Sequence, residues 1–176
     1  MNPDPFYGNI FFDSCALDGG NEDEQEASID ARELYEKHGH EVEIVHSVAK
    51  EIDYPNTPNW VKDIASGLVY TIEVILTQPE LAQLQDIESI IVGNGSLEKM
   101  KDDCRHVFEA QKYGRYFVTT DKRILKKAAQ IRSKYKLYIV KPTEFLETLE
   151  HYIEQKNNNV VKYTPAAKKR GLRALR

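Results

Sequence analysis

Short apolar runs alternate along the chain with longer stretches in which apolar residues recur at helical spacing. Runs of about four to eight apolar residues are typical of buried strands, and recurrence every third or fourth residue is typical of amphipathic helices. The runs predict strands at 9–12, 42–45, 68–77, 116–119 and 137–140. The periodic stretches predict helices at 27–38, 60–65, 79–92, 97–113, 122–134 and 142–155, with a further short helix opened by Ser47. Strands that alternate with helices predict an α/β fold with a mostly parallel sheet.

The residues between these elements carry turn and capping signals. The acidic, glycine-containing stretch 18–26 predicts a loop before the first long helix. Ser47 is a suitable N-cap for the short helix that contains Glu51. In the stretch 68–77, one alternating apolar face is formed by Tyr70, Ile72, Val74 and Leu76.

Length and composition indicate one globular domain followed by a basic extension. The 176 residues are enough to bury a core, and we assign 1–155 to the domain and 156–176 to the extension. Because no run of about 18 apolar residues occurs, the sequence predicts no membrane span and no membrane partner. Cys15 and Cys104 have neither metal-ligand nor disulfide-framework spacing, so a reducing cytoplasm is the expected location.

The formal net charge of −4 combines an acidic first part with a basic second part. Residues 1–98 contain 4 of the 24 Lys and Arg and 20 of the 28 Asp and Glu, so they carry −16 and residues 99–176 carry +12. This asymmetry suggests either a polyanionic partner or two parts that neutralise each other on packing. Residues 162–176 contain six cations and no acid, so this tail is expected either to contact RNA or to dock on an acidic surface.

Four acidic residues lie at or near the ends of these patterns. Asp13 and Asp121 each follow an apolar run directly, Glu51 lies about one helical turn beyond another run, and Asp103 lies in a periodic stretch. The carboxyl ends of parallel strands meet at the edge of the sheet where α/β proteins bind ligands. Carboxylates gathered there repel one another unless a hard cation such as Mg²⁺ or Mn²⁺ lies between them. The pattern therefore predicts a metal-dependent phosphodiesterase.

Three blocks of sequence carry the acids together with their surroundings. They read NIFFD at 9–13, DCRHVFEA at 103–110 and FVTTDKRIL at 117–125. In order and spacing they resemble the three motif blocks of the PIN domain family, and Glu51 falls where that family carries its second acid. The resemblance extends over about residues 8–146. It implies a three-layer α/β/α fold with a mostly parallel central sheet.

The resemblance also implies an activity, which in this family is usually metal-dependent cleavage of RNA, often by the toxin of a bacterial toxin–antitoxin pair. Asp13, Glu51, Asp103 and Asp121 would be the metal-binding acids, and Thr119 matches the family's hydroxyl residue two positions before the last acid. The implied cofactor is Mg²⁺ or Mn²⁺, and cleavage would leave a 5′-phosphate and a 3′-hydroxyl. The expected substrate is RNA, and candidate partners are an antitoxin protein and a second copy of the chain.

Two positions differ from the family pattern. Cys15 stands where many members have a small polar residue, and Lys122 and Arg123 follow the last acid where a further acid is common. The second difference argues against a tightly held second metal. Together with Lys126 and Lys127, the two cations open a predicted helix, and a helix N-terminus with cations favours phosphate. A solvated basic face is the alternative interpretation.

Each candidate residue also has a purely structural interpretation. His106 lies one turn after Asp103, and a packed or hydrogen-bonded histidine is the favoured interpretation there. The acids could be solvated carboxylates, helix caps or salt-bridge partners. Asp53 competes with Glu51 for the second acidic position, whereas Asp102 faces about 100° away from Asp103 on a helix.

Two other functions stay open at this point. A non-catalytic RNA-binding module on the same scaffold would use the basic half of the chain and need no metal. A phosphotransfer domain would use Asp13 as phosphoryl acceptor. This chemistry needs a companion acid or Thr near the strand end and a lone Lys late in the sheet, and the following residues 14–17 are a poor fit. Replacement of Asp13 separates the nuclease from the first alternative, and a small phosphodonor tests the second.

Overall fold

The chain folds as a mixed α/β structure with a parallel sheet. A computed structural model describes residues 2–18, 21–68 and 71–163. The strands are β1 (Asn9–Phe12), β2 (Gly114–Val118) and β3 (Tyr138–Val140), which lie in the order β1-β2-β3 and are all parallel. The helices are α1 (Ser14–Asp18), α2 (Glu22–Lys37), α3 (His46–Ile52), α4 (Asn59–Ser66), α5 (Gln78–Val92), α6 (Leu97–Tyr113), α7 (Lys122–Leu125), α8 (Ala128–Tyr135) and α9 (Pro142–Tyr163).

The two strands that lead toward the predicted acids are buried on both faces. Successive residues of a strand point to opposite faces of the sheet. Residues 10–12 of β1 and 116–118 of β2 are all at most 1% exposed, so each face of both strands is covered. Continuous apolar runs of this kind are typical of parallel strands that are covered by helices. The strands predicted at 9–12, 116–119 and 137–140 are confirmed.

Among the described residues, the strand predicted at 42–45 forms no ladder and pairs with β1 through one bridge. Glu43 pairs in parallel with Phe11, and the bridge is held by two backbone hydrogen bonds of 2.8 and 2.9 Å. The N–H of Ile44 then donates to the carbonyl of Leu68 at 2.9 Å, away from the sheet. The run is buried as predicted, but the chain leaves the edge of β1 and enters α3 before a ladder can form.

The strand predicted at 68–77 is wrong for residues 71–77, which form neither strand nor helix; residues 69–70 lie outside the described residues. Ile72 is 76% exposed, whereas Val74 and Leu76 are partly buried, so the alternating apolar residues do not pack as one face. β-Branched residues favour a strand only where a neighbouring strand offers pairing and packing. Residues 71–77 pair with none of the described strands.

The first long helix begins earlier than its apolar periodicity predicts. α2 starts at Glu22, and the side chain of Asn21 caps it by accepting the N–H of Glu24 at 3.0 Å. Part of the stretch 18–26, which was predicted to be a loop, is therefore the first turn of a helix. Acidic residues are favourable there because they face the positive end of the helix dipole.

The helices of the C-terminal half differ from prediction at two boundaries. The single helix predicted at 122–134 is two helices, α7 and α8, separated at Lys126 and Lys127. α9 continues beyond residue 155 to Tyr163, and the basic tail from residue 164 onward lies outside the described residues. Among the helices that the structure describes, none is both long enough and apolar enough to cross a bilayer.

Candidate metal centre

Asp13 lies at the carboxyl end of β1 as a buried carboxylate, 4% exposed. The hydroxyl of Thr119 donates to its Oδ2 at 2.6 Å, the N–H of Ser14 donates to Oδ1 at 2.9 Å, and Cys15 Sγ donates to Oδ2 at 3.2 Å. Burial and the charge of Asp13 raise the pKa of the Cys15 thiol to about 12, so the thiol stays protonated and is a poor nucleophile. The three donors hold the carboxylate in one orientation.

Thr119 connects Asp13 to the end of the neighbouring strand. Its hydroxyl, which donates to Asp13, also accepts the N–H of Asp121 at 3.1 Å. Its own N–H donates to the carbonyl of Val140 in β3 at 2.9 Å. One fully buried threonine thus places Asp13 and Asp121 at the same edge of the sheet.

Glu51 lies on α3, which is held in place by the buried carboxylate of Glu109 on α6. Oε2 of Glu109 accepts both the N–H and the hydroxyl of Ser47 at 3.0 Å, and Oε1 accepts Nε of Arg105 at 2.6 Å. Ser47 was predicted to be the N-cap, but α3 already begins at His46. The cap prediction is wrong because the neighbouring helix supplies a full carboxylate as acceptor for the first turn of α3.

His106 of α6 fills the space between Asp13 and Glu51. Its ring is 1% exposed, with Nδ1 3.6 Å from Asp13 Oδ1 and Nε2 3.6 Å from Glu51 Oε2. One potential ligand atom from each of the three residues lies within 4.8 Å of the other two. Neither ring nitrogen has a hydrogen-bond partner among the described residues. His106 is packed, as the structural interpretation held, but it is not hydrogen-bonded.

Asp103 and Asp121 form a second pair, bridged by Arg123. Nη2 of Arg123 lies 2.5 Å from Asp121 Oδ2 and 3.0 Å from Asp103 Oδ2. Nε of Arg123 also contacts both oxygens of Asp121, and the backbone N–H of Arg123 donates to Asp121 Oδ1 at 2.6 Å. Asp121 therefore both caps α7 and binds a guanidinium. The four predicted acids accordingly divide into two pairs, one facing His106 and one facing Arg123.

The pKa shifts of the acids follow the two pairs only in part. Burial raises the pKa of Glu51, His106 opposes this rise, and the nearby charges of Asp13 and Asp103 add to it. Burial and neighbouring carboxylates also raise the pKa of Asp103, although Arg123 opposes them. Burial alone would raise the pKa of Asp121, but the hydrogen bonds from Arg123 outweigh burial and lower it. A guanidinium thus faces Asp121, whereas Glu51 faces the imidazole of His106 and two further carboxylates.

The group of Asp13, Glu51 and His106 has the chemistry to hold a divalent cation. Carboxylate oxygens and an imidazole nitrogen are both ligands for such ions. A cation between Asp13 and Glu51 would relieve their repulsion, and it would give His106 the partner that its ring nitrogens lack. The residues present therefore fit a metal ion, and the fit rests on a buried imidazole without hydrogen bonds as well as on the carboxylates.

Of the four predicted basic residues that follow Asp121, Arg123 is the one that contacts the acids of this centre. Arg123 contacts two of the acids, whereas Lys122 and Lys126 are exposed and Lys127 is half-buried. Within the described residues no ion pair joins any of these three lysines to the four acids. α7 has only four residues and its first turn is capped by Asp121, so the expected free helix N-terminus for phosphate is absent from this part of the described structure.

A cleft of about 610 Å³ opens beside Glu51, between α3 and α6. Its lining includes Tyr54, Lys101 and Arg105 as well as apolar side chains of the segment 71–77. Tyr54 is 58% exposed and Lys101 is exposed, so an aromatic ring and a cation are presented to solvent next to the acids. This cleft was not part of the sequence-based interpretation.

Two polar residues of α6 near the acids carry a weak signal in the sequence. His106 lies about 60° from Asp103 around the helix and Glu109 about 60° further, so the three residues span about 120° of the helix surface. Polar residues that fall within an apolar helical stripe favour a site over a solvated face. The contacts of His106 with Asp13 and Glu51 join distant parts of the chain and could not be obtained from spacing.

No known protein-family profile matches this sequence, and no curated protein matches it either.

Proposed function

We propose that this protein is a divalent-metal-dependent endoribonuclease on a three-layer α/β/α, PIN-like scaffold. The observation that carries the proposal is the buried carboxylate of Asp13 at the end of a parallel strand, with Glu51 and a His106 that lacks hydrogen bonds close enough to share one ion. The resemblance of three motif blocks to the PIN family supports the same conclusion. In this proposal Asp103 and Asp121 complete the acidic set.

Asp13 and Glu51 would hold the cation, and the rest of the centre fixes their positions. A bound Mg²⁺ or Mn²⁺ would lower the pKa of an attacking water and would offset the charge that develops on the phosphate. Thr119 keeps Asp13 Oδ2 engaged, which leaves Oδ1 on the side of His106. Glu51 is 41% exposed at its side chain and so faces the solvent from which water and substrate arrive.

Arg123 is suited to bind the phosphate that is cleaved. Its Nε and Nη2 contact Asp121 and Asp103, and the side chain is 54% exposed. A guanidinium has five N–H donors in a rigid fork, so Nη1 can still donate to a phosphate oxygen. Because carboxylates hold the fork, it would be oriented before the substrate arrives.

The cleft beside Glu51 is the proposed path for single-stranded RNA. Exposed aromatic rings stack on bases without strong sequence preference, and cations in a groove follow the phosphate backbone. Tyr54 and Lys101 supply one of each. Lys122 and Lys126, which follow Asp121 in the sequence and are exposed, would extend the basic surface beyond the acids.

The experiment that tests the proposal is cleavage of end-labelled single-stranded RNA by the purified protein. We expect cleavage with Mg²⁺ or Mn²⁺, none with a chelator, and products that carry 5′-phosphate and 3′-hydroxyl ends. RNA binding without cleavage under every metal condition would instead favour the non-catalytic RNA-binding module. Cleavage that persists in the chelator would contradict a metal-dependent mechanism.

A toxin role and a neutralising protein partner enter the proposal only through the family resemblance. If they apply, expression of the protein in a bacterial host should arrest growth, and Asp13→Asn should abolish the arrest at equal protein level. Growth arrest that survives this substitution would separate toxicity from the proposed nuclease.

A further inference from the structure

His106 is the most unusual polar group among the described residues. It is 1% exposed, and neither Nδ1 nor Nε2 has a hydrogen-bond partner. Burial of a polar ring without partners is costly, and most buried side-chain polar atoms in proteins are hydrogen-bonded. The carboxylate oxygens of Asp13 and Glu51 lie 3.6 Å from the two ring nitrogens, which is too long for a hydrogen bond. The ring is therefore aimed at the carboxylates without being bonded to them.

We propose that His106 is a ligand of the metal ion and that it makes the centre favour first-row transition-metal ions over Mg²⁺. Mn²⁺ is the weakest binder of that series, so a preference for Mn²⁺ over Mg²⁺ is its most demanding test. The inference rests on the proposed function in one respect, namely that Asp13 and Glu51 bind a metal. It goes beyond that function in assigning a third ligand, and with it the class of ion that the centre takes.

The spacing of the three residues is compatible with a shared ion. Two ligands on opposite sides of one octahedral ion lie at most about 4.2 Å apart, since each metal–ligand bond is about 2.1 Å. The potential ligand atoms of Asp13, Glu51 and His106 lie within 4.8 Å of one another. Side-chain movements of less than about an ångström would therefore bring all three to coordination distance. Only one ring nitrogen can bind the same ion, which leaves the other free to donate to the second carboxylate.

An imidazole ligand changes which ion the centre prefers. Mg²⁺ favours oxygen ligands and keeps several waters, and it loses water reluctantly. Imidazole suits transition-metal ions, whose affinity for mixed nitrogen and oxygen sites follows a rising series that begins at Mn²⁺. A centre made only of carboxylates would accept Mg²⁺ readily. A centre whose third ligand is the buried imidazole of His106 favours an ion that forms a stable bond to nitrogen.

The experiment is pulsed electron paramagnetic resonance of Mn²⁺ bound to the full-length protein, which detects nitrogen atoms coordinated to the ion. We expect a histidine nitrogen coupling in the wild type, shifted when the protein is labelled with ¹⁵N-histidine. His106→Gln should remove the coupling, and His46→Gln, which alters a histidine outside the cluster, should retain it. The wild-type spectrum tests the assignment even if His106→Gln fails to fold.

Binding titrations complete the test without reference to RNA cleavage. Mn²⁺ should bind the wild type at least about tenfold more tightly than Mg²⁺, and His106→Gln should weaken Mn²⁺ binding by about 10–100-fold while changing Mg²⁺ binding little. Bound Mn²⁺ without nitrogen coupling, or equal affinity for both ions, would overturn the role of His106 and leave the metal centre intact. No binding of either ion would overturn the inference and the proposed function together.

Discussion

The hydroxyl of Thr119 donates a 2.6 Å hydrogen bond to the buried carboxylate of Asp13, across the ends of two parallel strands. Both side chains are almost fully buried, so the bond is shielded from competing water. Thr119 also accepts a hydrogen bond from the N–H of Asp121. The same hydroxyl therefore orients the carboxylate of Asp13 and fixes the backbone at Asp121. Metal binding at this edge should therefore depend on a residue that is not itself a ligand.

The first prediction concerns this hydroxyl. Thr119→Val keeps the shape of the side chain but removes the shorter of the two hydrogen bonds to Asp13 Oδ2 and the acceptor for the N–H of Asp121. We expect the free energy of unfolding to fall by about 1–3 kcal/mol, measured by urea denaturation, with weaker Mn²⁺ binding. Thr119→Ser is the matched control, since it keeps the hydroxyl, and it should retain most of the metal affinity. Equal losses in both variants would assign the effect to packing.

The second prediction concerns the arginine that bridges Asp103 and Asp121. Because Arg123 already supplies positive charge to this pair, we expect the wild type to bind one metal ion. Arg123→Ala should uncover the two carboxylates and permit a second, weaker ion, detected as a change of stoichiometry in isothermal titration calorimetry. Lys126→Ala, which removes an exposed cation nearby, should leave the stoichiometry at one. A wild type that already binds two ions would show that Arg123 does not occupy the second position.

The third prediction concerns the position of α3. Glu109→Gln replaces an acceptor of three hydrogen bonds by an amide, whose NH₂ group would face the donors of Ser47 or Arg105. We expect a loss of about 1–3 kcal/mol in the free energy of unfolding and weaker metal binding, because Glu51 is carried by the same helix. Glu98→Gln, an exposed change on α6, should have neither effect. Unchanged metal affinity in Glu109→Gln would show that α3 is held by other contacts.

The fourth prediction concerns pH. The pKa values of Glu51 and Asp103 are raised in the folded protein. The folded, metal-free protein therefore binds protons more readily than the unfolded chain. Its stability should fall as the pH rises from the ordinary carboxyl pKa range through the raised pKa values. Glu51→Gln should therefore raise the melting temperature near neutral pH and have no such effect in acid. The folded pKa of Asp121 is lowered, so Asp121→Asn should lower the melting temperature near neutral pH, with a loss that shrinks in acid.

Thermal melts of both variants across pH provide the measurement. Two shifts of the same sign near neutral pH would contradict the opposite electrostatic environments of Glu51 and Asp121.

The parts of the fold that the sequence predicts well are those in which a local pattern coincides with burial. The apolar runs of β1 and β2 are buried on both faces, and α5 and α6 follow their helical periodicity closely. Prediction fails where the partner of a segment is distant in sequence. Residues 71–77 have strand-like composition but pair with no described strand, and Glu43 forms only one bridge because the chain leaves the edge of β1.

The candidate site shows the same limit. Apolar runs point to Asp13 and Asp121 because a strand end is a local feature. The contacts that decide their chemistry are non-local or depend on side-chain conformation: His106 reaches Asp13 and Glu51 from another helix, and the Arg123 side chain folds back onto Asp121. Sequence indicated which carboxylates to consider, but not which of them already have a cation partner.

The central claim is that Asp13 acts through a bound metal ion to cleave RNA. The most direct measurement is the single-turnover rate of cleavage of labelled single-stranded RNA with saturating Mn²⁺, for the wild type, Asp13→Asn and the exposed control Asp53→Asn. We expect Asp13→Asn to lower the cleavage rate by about two orders of magnitude or more. Circular dichroism should show that this variant keeps the wild-type fold. Asp53→Asn should cleave at the wild-type rate. A folded Asp13→Asn protein that cleaves at the wild-type rate would contradict the account.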